Sequence, residues 1–224
     1  MLPAEPWRDV MSQGTTRRFR PRSVMLRQGD PGTHLLALTT GIAKVVSRDH
    51  QGVTTLLAFR GPGDLLGEVS VFDGRTRIAD VIALSPCTAV VLEAERFRAY
   101  VERHGLVIDL MRQAMHRLRE SDLLRAELLT LPLVTRLART LVRLVELAGS
   151  GHGRPISVPA TAQPDLPVRL TGLTQEELAQ SIGVTRNAVG VALRTLRDAG
   201  AVETARRSIV IKDLDGLRTW ADTA

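Results

Sequence analysis

The sequence is poor in cysteine and in aromatic residues, and it has no long hydrophobic run near its start. The single cysteine of its 224 residues, Cys87, excludes an internal disulfide, a zinc site built from several cysteines and a cysteine-ligated iron–sulfur cluster. Aromatic residues make up 3% of the chain, so the core must consist mainly of Leu, Val, Ile and Ala. Because the first residues form no apolar segment long enough for a signal peptide or a membrane span, the sequence predicts a cytoplasmic protein with no membrane partner.

Positive charge exceeds negative charge along the chain. There are 30 Lys and Arg residues against 24 Asp and Glu, which gives a formal net charge of +6. A surplus of this size favours a polyanionic partner, nucleic acid first. An arginine-rich composition without such a partner would give the same charge, so the charge alone does not decide between the two.

Two patterns divide the chain and predict an α+β fold. From Phe19 to about Leu92, short apolar runs such as HLLALTTG and CTAVVLE alternate with turn signals such as GPGD. This spacing indicates an all-β sandwich or barrel with no helical stretch between its strands. From about Glu95 the pattern is helical, and residues 105–131 contain no Pro or Gly after Gly105, which predicts one long helix.

Residues spaced three and four apart form a narrow stripe along one side of that long helix. Its members are Met111, Ala114, Leu118, Ser121, Arg125 and Leu128. A seam this narrow usually packs against a second copy, so residues 105–130 are predicted to form a homodimer. The alternative is an ordinary amphipathic helix that packs on the β domain.

The strongest signal is TQEELAQSIGVTRNAVGVALRTLRD, residues 174–198, which predicts two helices around a tight turn. Thr174 and Glu177 have the spacing of a capping box, Gly183 suits a left-handed turn, and Thr185 can cap the second helix. The apolar residues of both helices have the spacing of a steep helix crossing; they are Leu178, Ala179, Ile182, Val189, Ala192, Leu193 and Leu196. The segment therefore predicts a helix-turn-helix. A helical hairpin for protein contacts is the weaker alternative.

The second of these helices would present its outer side to DNA. The residues on that side are Arg186, Asn187, Gly190, Val191 and Arg194. Arg can donate two hydrogen bonds to guanine and Asn can pair with adenine in the major groove, so this side is predicted to contact bases. A second group is predicted to contact phosphates, which sets register but not sequence. Its members are Thr174, Gln175, Thr185 and, at the tip of a predicted two-stranded wing, Arg206 and Arg207.

No enzyme motif is present. The sequence has no P-loop, nucleophile elbow or HExxH pattern, and its five histidines are scattered. We therefore predict no catalytic residues, no metal site and no required cofactor. Cys87 has no histidine near it in sequence and is predicted to be a packed core thiol rather than a haem ligand.

Three stretches resemble the cyclic-AMP receptor protein (Crp–Fnr) family of bacterial transcription regulators. They are GDLLGE at residues 63–68, the arginine at position 77 and LTQEELAQSIGVTRNAVGVAL at residues 173–193. The resemblance implies a β-roll of the jelly-roll type over residues 1–104, a dimerising helix over 105–131 and a winged helix-turn-helix over 132–224. It also implies a homodimer on a near-palindromic operator that works with RNA polymerase and is gated by a cyclic nucleotide, cAMP or cGMP.

The same resemblance assigns a ligand-binding set in the β domain. Gly67 would let the backbone approach the cyclic phosphate, Glu68 would hold the ribose 2′-hydroxyl, and Arg77 would pair with the phosphate, with Val69 adjoining them. A glycine-rich turn and a guanidinium suit an anion on physical grounds as well. The sequence FDGRTR also allows Arg75 to be the phosphate-binding arginine.

Of three further positions that the resemblance places in the site, two depart from the family and one, Ser121, matches it. Ile78 stands where the bacterial receptor has a phosphate-binding serine. On the long helix, Ser121 matches the position whose hydroxyl reaches the adenine, and Asp122 matches a serine offered by the partner subunit. The resemblance places all three in the ligand-binding set, and the changes leave open whether a cyclic nucleotide, another effector or none is read.

The second helix of the predicted helix-turn-helix, the recognition helix, also departs from the family pattern. The family's SRETVGR is TRNAVGV here. Arg186 is retained and is predicted to read a guanine. Asn187 replaces a glutamate and Val191 replaces an arginine, so we expect a half-site that differs from the TGTGA type. Two hypotheses follow: a regulator gated by a cyclic nucleotide, or the same DNA-binding role with a different effector or with none.

Overall fold

The computed structural model describes residues 4–149, 167–205 and 208–223, and the chain forms two compact units. The first unit comprises the described residues up to Asp122, and the second comprises those from Leu123 onward. Each unit has its own buried apolar core.

The first unit is an antiparallel β-structure with helices. Its strands are β1 (Thr15–Phe19), β2 (Val24–Leu26), β3 (His34–Thr40), β4 (Ala43–Arg48), β5 (Thr54–Arg60), β6 (Leu65–Leu66), β7 (Asp80–Ala83) and β8 (Cys87–Glu93). Its helices are α1 (Ala4–Ser12), α2 (Glu68–Asp73), α3 (Ala94–Arg103) and the first part of α4 (Val107–Thr130). The strands form two four-stranded sheets in the orders β1-β8-β3-β6 and β2-β7-β4-β5. The antiparallel architecture predicted from the turn spacing is confirmed.

The alternation of side chains along β3 buries both of its faces. Leu36 belongs to an apolar cluster with residues of β2, β4 and β7, whereas Leu35 belongs to a second cluster with α1 and α3. Cys87 lies in the first cluster and is 2% exposed. Burial raises the pKa of its thiol to about 11, so the thiol stays protonated at neutral pH. Cys87 is therefore a packing residue, as predicted.

Two helices of this unit are missing from the sequence prediction. In α1, Trp7, Val10 and Met11 pack against the cluster that contains Phe97. In α2, the backbone is left-handed at both flanking residues, Gly67 (φ 84°) and Gly74 (φ 70°). The expectation that no helix interrupts the strands is therefore wrong at residues 68–73, where two glycines confine a short helix between β6 and β7.

The second unit is mainly helical. Its remaining helices are α5 (Leu133–Gly149), α6 (Gln175–Ser181), α7 (Arg186–Asp198) and α8 (Leu214–Asp222), and its strands are β9 (Val168–Thr171), β10 (Val202–Ala205) and β11 (Ser208–Ile211). The core lies on α5, whose Leu137, Leu141 and Leu144 are fully buried. The predicted wing is present as β10 and β11, which pair antiparallel, and β9 adds a third strand that the sequence did not indicate. The tip residues Arg206 and Arg207 lie outside the described residues.

Helix α4 agrees with the predicted long helix to within two residues at each end. None of its residues is buried. Several large apolar side chains are more than half exposed on it, among them Ile108, Met111, Leu118 and Leu129.

Candidate effector site and DNA-binding surface

The GDLLGE segment and Arg77 meet at the start of α2. Gly67 precedes the helix and has a φ of 84°, a left-handed backbone conformation that residues with a side chain rarely adopt. A Cβ at this position would overlap the Arg77 guanidinium and would lie 2.7 Å from Leu26 Cδ1. The Ser70 hydroxyl donates to the Gly67 carbonyl at 3.0 Å and fixes the turn. Glycine is therefore required here both for its backbone angle and for its lack of a side chain.

Arg77 is buried at this turn, with 5% of its surface exposed. Its backbone N–H donates to the Asp30 carbonyl at 2.9 Å. Its Nη2 donates to the His34 carbonyl at 2.6 Å, and its Nη1 lies 3.4 Å from Ser70 Oγ and 3.5 Å from the Gly67 carbonyl. Neutral oxygens thus hold the guanidinium in a fixed orientation.

Arg77 is a buried positive charge at this turn. Burial lowers the pKa of Arg77 and the nearby Asp30 carboxylate raises it, and an arginine stays protonated at any physiological pH. Burial, together with the charges of Arg77 and Arg17, lowers the pKa of His34. The His34 ring is therefore neutral at pH 7, and Arg77 supplies the buried cation.

Arg75 and Arg77, the two candidates for the phosphate-binding arginine, have different surroundings in the structure. Arg75 is exposed, and its backbone N–H donates to Asp73 Oδ1 at 2.9 Å. Arg77 is the one that contacts Gly67. Val69 and Ile78, the apolar members of the predicted set, are 45% and 63% exposed.

Arg117 of α4 is a site residue that the sequence did not reveal. It forms an ion pair with Glu68, and its Nη2 donates to the Leu65 carbonyl at 2.7 Å and lies 3.3 Å from Asp64 Oδ1. Its Nε is buried and has no hydrogen-bond partner among the described residues. Glu68, which the resemblance assigns to a ribose hydroxyl, is thus paired with the long helix.

The two predicted residues of α4 follow Arg117. Ser121 lies one turn beyond it, on the same side of the helix, and is half-buried. Asp122 is exposed. A second ion pair, between Arg60 of β5 and Glu120 at 3.4 Å, also ties the β-structure to this part of α4. The structure therefore brings Gly67, Glu68, Arg77 and Arg117 together, with Ser121 next along the helix.

We expect Gly67→Ala to lower the free energy of unfolding by more than the same change at Gly52. Both glycines have a φ of 84°, but nothing lies within 4 Å of a Cβ at position 52. Backbone strain should cost about 1–3 kcal/mol at either position, and the overlap with Arg77 adds to it only at position 67. Denaturant unfolding of the two variants measures the difference. Equal losses would contradict the tight packing of Gly67 against Arg77.

The helix-turn-helix is built as the sequence predicts. The Thr174 hydroxyl accepts from the Glu177 N–H at 3.2 Å, and the Thr174 N–H donates to the Glu177 carboxylate at 2.7 Å, which confirms the capping box. Gly183 has a φ of 66°, and the Thr185 hydroxyl accepts from the Ala188 N–H at 3.3 Å. The predicted buried residues of both helices are all buried.

The outer side of α7 is exposed as predicted at Arg186, Asn187, Val191 and Arg194, and half-exposed at Gly190. Within the part of the chain that the structure describes, Arg186 and Arg194 form no ion pair. By contrast, Arg197 and Lys212 lie 3.6 Å from Asp198 and Glu203 respectively. The two unpaired guanidinium groups are thus on the surface that would face DNA.

The phosphate-contact residues differ in what they have left to donate. The Thr174 hydroxyl donates to the Glu177 carboxylate at 2.9 Å, so its proton is already used. The Thr185 hydroxyl only accepts within the helix cap, so its proton can go to a phosphate oxygen. Gln175 begins α6 and is exposed.

The end of α4 is joined to the helix-turn-helix within the second unit. Arg136 Nη1 donates to the Leu128 carbonyl at 3.2 Å and to the Ile182 carbonyl at 2.8 Å. The side chain of Leu128 lies 3.1 Å from the place of a Cβ on Gly183. The last turns of the long helix are therefore fastened to the turn that positions α7.

The described residues contain neither a candidate metal site nor a helix that could cross a membrane. No group of three or more His, Cys, Asp or Glu side chains is arranged to hold a metal ion in the described ranges. Among the helices that the structure describes, none is both long and apolar enough to span a membrane.

Comparisons with known proteins match both units. The model of the cyclic nucleotide-binding domain family matches residues 16–104, and that of the Crp-like helix-turn-helix domain matches residues 135–220. A CRP-like cAMP-activated global transcriptional regulator of Mycobacterium tuberculosis is 28% identical over 191 residues, which are 85% of this chain and 80% of that protein.

Solved structures share the fold. A CRP/FNR family transcriptional regulator from Thermus thermophilus aligns with a TM-score of 0.70 and 24% identity, over 93% of this chain and 99% of that one. The c-di-GMP-responsive global regulator CLP of Xanthomonas campestris aligns with a TM-score of 0.65 and 21% identity, over 94% of this chain and 99% of that one.

A cyclic nucleotide-binding domain followed by a Crp-like helix-turn-helix defines a DNA-binding transcription regulator. The chain belongs to the Crp–Fnr family of these regulators, which are not enzymes.

Proposed function

We propose that this regulator is a homodimer whose binding to a near-palindromic operator is gated by a cyclic nucleotide, with cAMP as the first candidate. The effector domain is residues 1–104, the dimer helix is 105–131 and the DNA-binding domain is 132–224. The observation that carries the proposal is the Arg77 guanidinium, buried and oriented against Gly67 beside Glu68. A fixed cation is suited to the single negative charge of a cyclic phosphate.

The groups around Arg77 fit the rest of such a ligand. Glu68 can accept a hydrogen bond from a ribose hydroxyl, and Arg117 has a buried Nε without a partner among the described residues. Ser121, one turn along α4, offers a hydroxyl to a base. The cAMP-activated relative in Mycobacterium tuberculosis supports cAMP as the effector to test first.

Gating would work through the pairing of Arg117 with Glu68. A ribose hydroxyl that donates a hydrogen bond to the Glu68 carboxylate would compete with Arg117 for it. Because Arg117 belongs to α4, a change in this ion pair would act on the long helix. The C-terminal end of α4 is joined to the helix-turn-helix through Arg136 and Leu128. An effector that favours one arrangement of α4 therefore biases the arrangement of the DNA-binding domains.

The exposed side of α4 supports the proposed dimer. Its exposed apolar side chains need a cover, and a second copy of the same helix provides a matching one. Two recognition helices in successive major grooves, about 34 Å apart, would read an operator with two-fold symmetry. RNA polymerase is the further partner, and the cytoplasm, where bacterial DNA lies, is the place of action.

The second candidate is the same DNA-binding role with another effector or with none. Ile78, 63% exposed, puts a bulky apolar side chain beside Arg77, and Asp122 adds a carboxylate on α4. Ile78 would hinder binding of the cyclic phosphate, and Asp122 would alter the contact with the base.

Titration calorimetry of the full-length protein with cAMP, then cGMP, then c-di-GMP separates these candidates. Saturable binding of cAMP or cGMP supports the proposal. Binding of c-di-GMP alone would replace the effector, and heat from none of the three would favour DNA binding without a cyclic nucleotide.

We expect Arg117→Gln to uncouple effector from DNA. Allosteric coupling is typically about 1–3 kcal/mol, or about 5- to 150-fold in affinity, and the factor by which cAMP raises DNA affinity should fall towards one in this variant. The measurement is DNA affinity by fluorescence anisotropy with and without cAMP. Arg112→Gln is the matched control, because Arg112 is on the same helix in an exposed ion pair with Asp109. An unchanged response in Arg117→Gln would contradict the coupling role.

A further inference from the structure

One apolar residue lies on the outermost line of the recognition helix. The buried side of α7 carries Val189, Ala192, Leu193 and Leu196. At 100° per residue, Val191 projects roughly opposite that side, between Asn187 one turn before it and Arg194 one turn after it. Val191 is 51% exposed. A β-branched residue has low helix propensity, so neither packing nor helix formation accounts for a valine at this position.

The surface around Val191 is otherwise polar and open. Gln175, Asn187, Gly190 and Arg194 line a shallow hollow of about 620 Å³ together with Val191. Among the described residues, only Gln175 Oε1, at 4.0 Å, lies near the place of a Cβ on Gly190, inside the helix. A glycine inside a helix costs about 1 kcal/mol relative to alanine, and no neighbour in the described part of the chain requires it here. Its effect is to lower the helix surface beside Val191 so that another molecule can come close.

The major groove offers one apolar group at the base edges, the 5-methyl of thymine. We propose that Val191 contacts a thymine methyl in each half-site and so determines specificity at that base. The inference rests on the proposed DNA-binding function and deepens it. Arg186 and Arg194, which form no ion pair with any described residue, bring the helix to the groove. Val191 then meets the methyl group, which its own apolar side chain complements.

The helix geometry limits where that thymine lies. Asn187 and Val191 are separated by one turn, about 5.4 Å along the axis, and base pairs are spaced about 3.4 Å apart. If Asn187 pairs with an adenine, the thymine read by Val191 lies within about two base pairs of it. The half-site should therefore hold an adenine and a thymine close together, beside the guanine of Arg186.

The test uses deoxyuridine, which differs from thymidine only by the methyl group. Operators are first selected from random duplexes with the full-length protein, with and without cAMP. In the selected duplex each thymine is then replaced by deoxyuridine, one position at a time in both half-sites. At one position per half-site we expect affinity to fall about fourfold for each methyl removed, which is the value of burying one methyl-sized group. Val191→Ala should bind both duplexes equally, and as weakly as the natural protein binds the deoxyuridine duplex.

A matched control is available in Val53→Ala. Val53 lies in the β4–β5 turn and is 57% exposed, so it receives the same substitution at similar exposure. Val53→Ala should discriminate thymine from deoxyuridine as the natural protein does. Val191→Thr, which keeps one methyl at the same place, should retain part of the discrimination.

The outcomes distinguish failure of the DNA-binding function from failure of the proposed thymine contact. If no duplex is selected and none is bound, the DNA-binding function itself fails. If a duplex is selected but no deoxyuridine weakens binding, the thymine contact is wrong while the function stands. If Val191→Ala lowers affinity equally for thymine and deoxyuridine duplexes, Val191 contributes bulk and not methyl recognition, which also overturns the proposal.

Discussion

Arg77→Ala should lower cAMP affinity by at least about a hundredfold. A hydrogen bond to a charged group is worth about 1.5–3 kcal/mol, and a guanidinium can give a phosphate two of them. Arg77 is also held before any ligand arrives, by the His34 and Gly67 carbonyls and by Ser70. Its contacts therefore need little reordering on binding. Calorimetric titration of the variant with cAMP gives the loss directly.

The matched control is Arg75→Ala. Arg75 is exposed two residues away in the same loop, so its removal takes the same charge from the same region. We expect the affinity of this variant to stay within about twofold of the natural value, because long-range effects of exposed charges are screened. The reverse result, with affinity lost at Arg75 and kept at Arg77, would move the phosphate contact to the other arginine.

Folding must be separated from binding in this experiment. Removal of Arg77 takes the donor from the His34 carbonyl, whereas the Gly67 carbonyl keeps the Ser70 hydroxyl, and one unsatisfied buried group costs about 1–3 kcal/mol. Thermal unfolding of each variant shows the temperature range in which it is folded. Arg77→Lys keeps the charge without the planar fork and should bind with intermediate affinity.

Arg186→Ala should lower affinity for the selected operator by about 30-fold to about 25,000-fold. One bidentate contact from arginine to guanine is worth about 1–3 kcal/mol, and a dimer loses it in both half-sites. Arg186 begins α7, is exposed and has no ion pair among the described residues. Fluorescence anisotropy at fixed salt measures the change.

The form of the loss matters as much as its size. A base contact is lost mainly on the selected sequence, whereas a phosphate contact is lost on all sequences alike. We therefore expect the variant to bind random DNA almost as well as the natural protein does. Arg218→Ala is the control, because Arg218 belongs to the same unit and pairs with Asp215 on α8. A uniform loss on both kinds of DNA would make Arg186 a phosphate contact.

The parts of the fold that the sequence predicted are those set by local chemistry. The capping box of Thr174 and Glu177, the left-handed Gly183 and the Thr185 cap involve residues three or four apart, so their geometry can be read from spacing. The apolar periodicity of α7 is equally local. Most of the predicted DNA-binding side chains are exposed for the same reason, since they are what remains after the buried side of one helix is assigned.

The missed helices have weaker or contradictory local signals. The sequence EVSVFD of α2 alternates like a strand, and its helix depends on the left-handed glycines at both ends. Helix α1 is short and contains Pro6, and the packing of Val10 and Trp7 on a distant cluster holds it in place. Helix α8 could have been found, because Asp213 caps it and Leu214, Leu217 and Ala221 are buried on one side.

The centre of the candidate effector site depends on long-range contacts. Arg117 and Glu68 are 49 residues apart, and no spacing rule joins them. Ser70, which supports both Gly67 and Arg77, looks like any polar residue in a loop. The resemblance to a family located the arginine and the glycine, and the contacts of Arg117 with Leu65 and Glu68 were needed to identify the pairing that could transmit an effector signal.

The central claim is that a cyclic nucleotide changes the affinity of this protein for DNA, and one measurement tests it most directly. The dissociation constant for the selected operator is determined with and without saturating cAMP, at the same salt concentration. We predict an increase in affinity of at least about fivefold, the lower end of typical allosteric coupling. Equal affinities in the two conditions, at a concentration at which calorimetry shows cAMP to be bound, would contradict gating and leave a DNA-binding regulator that does not respond to it.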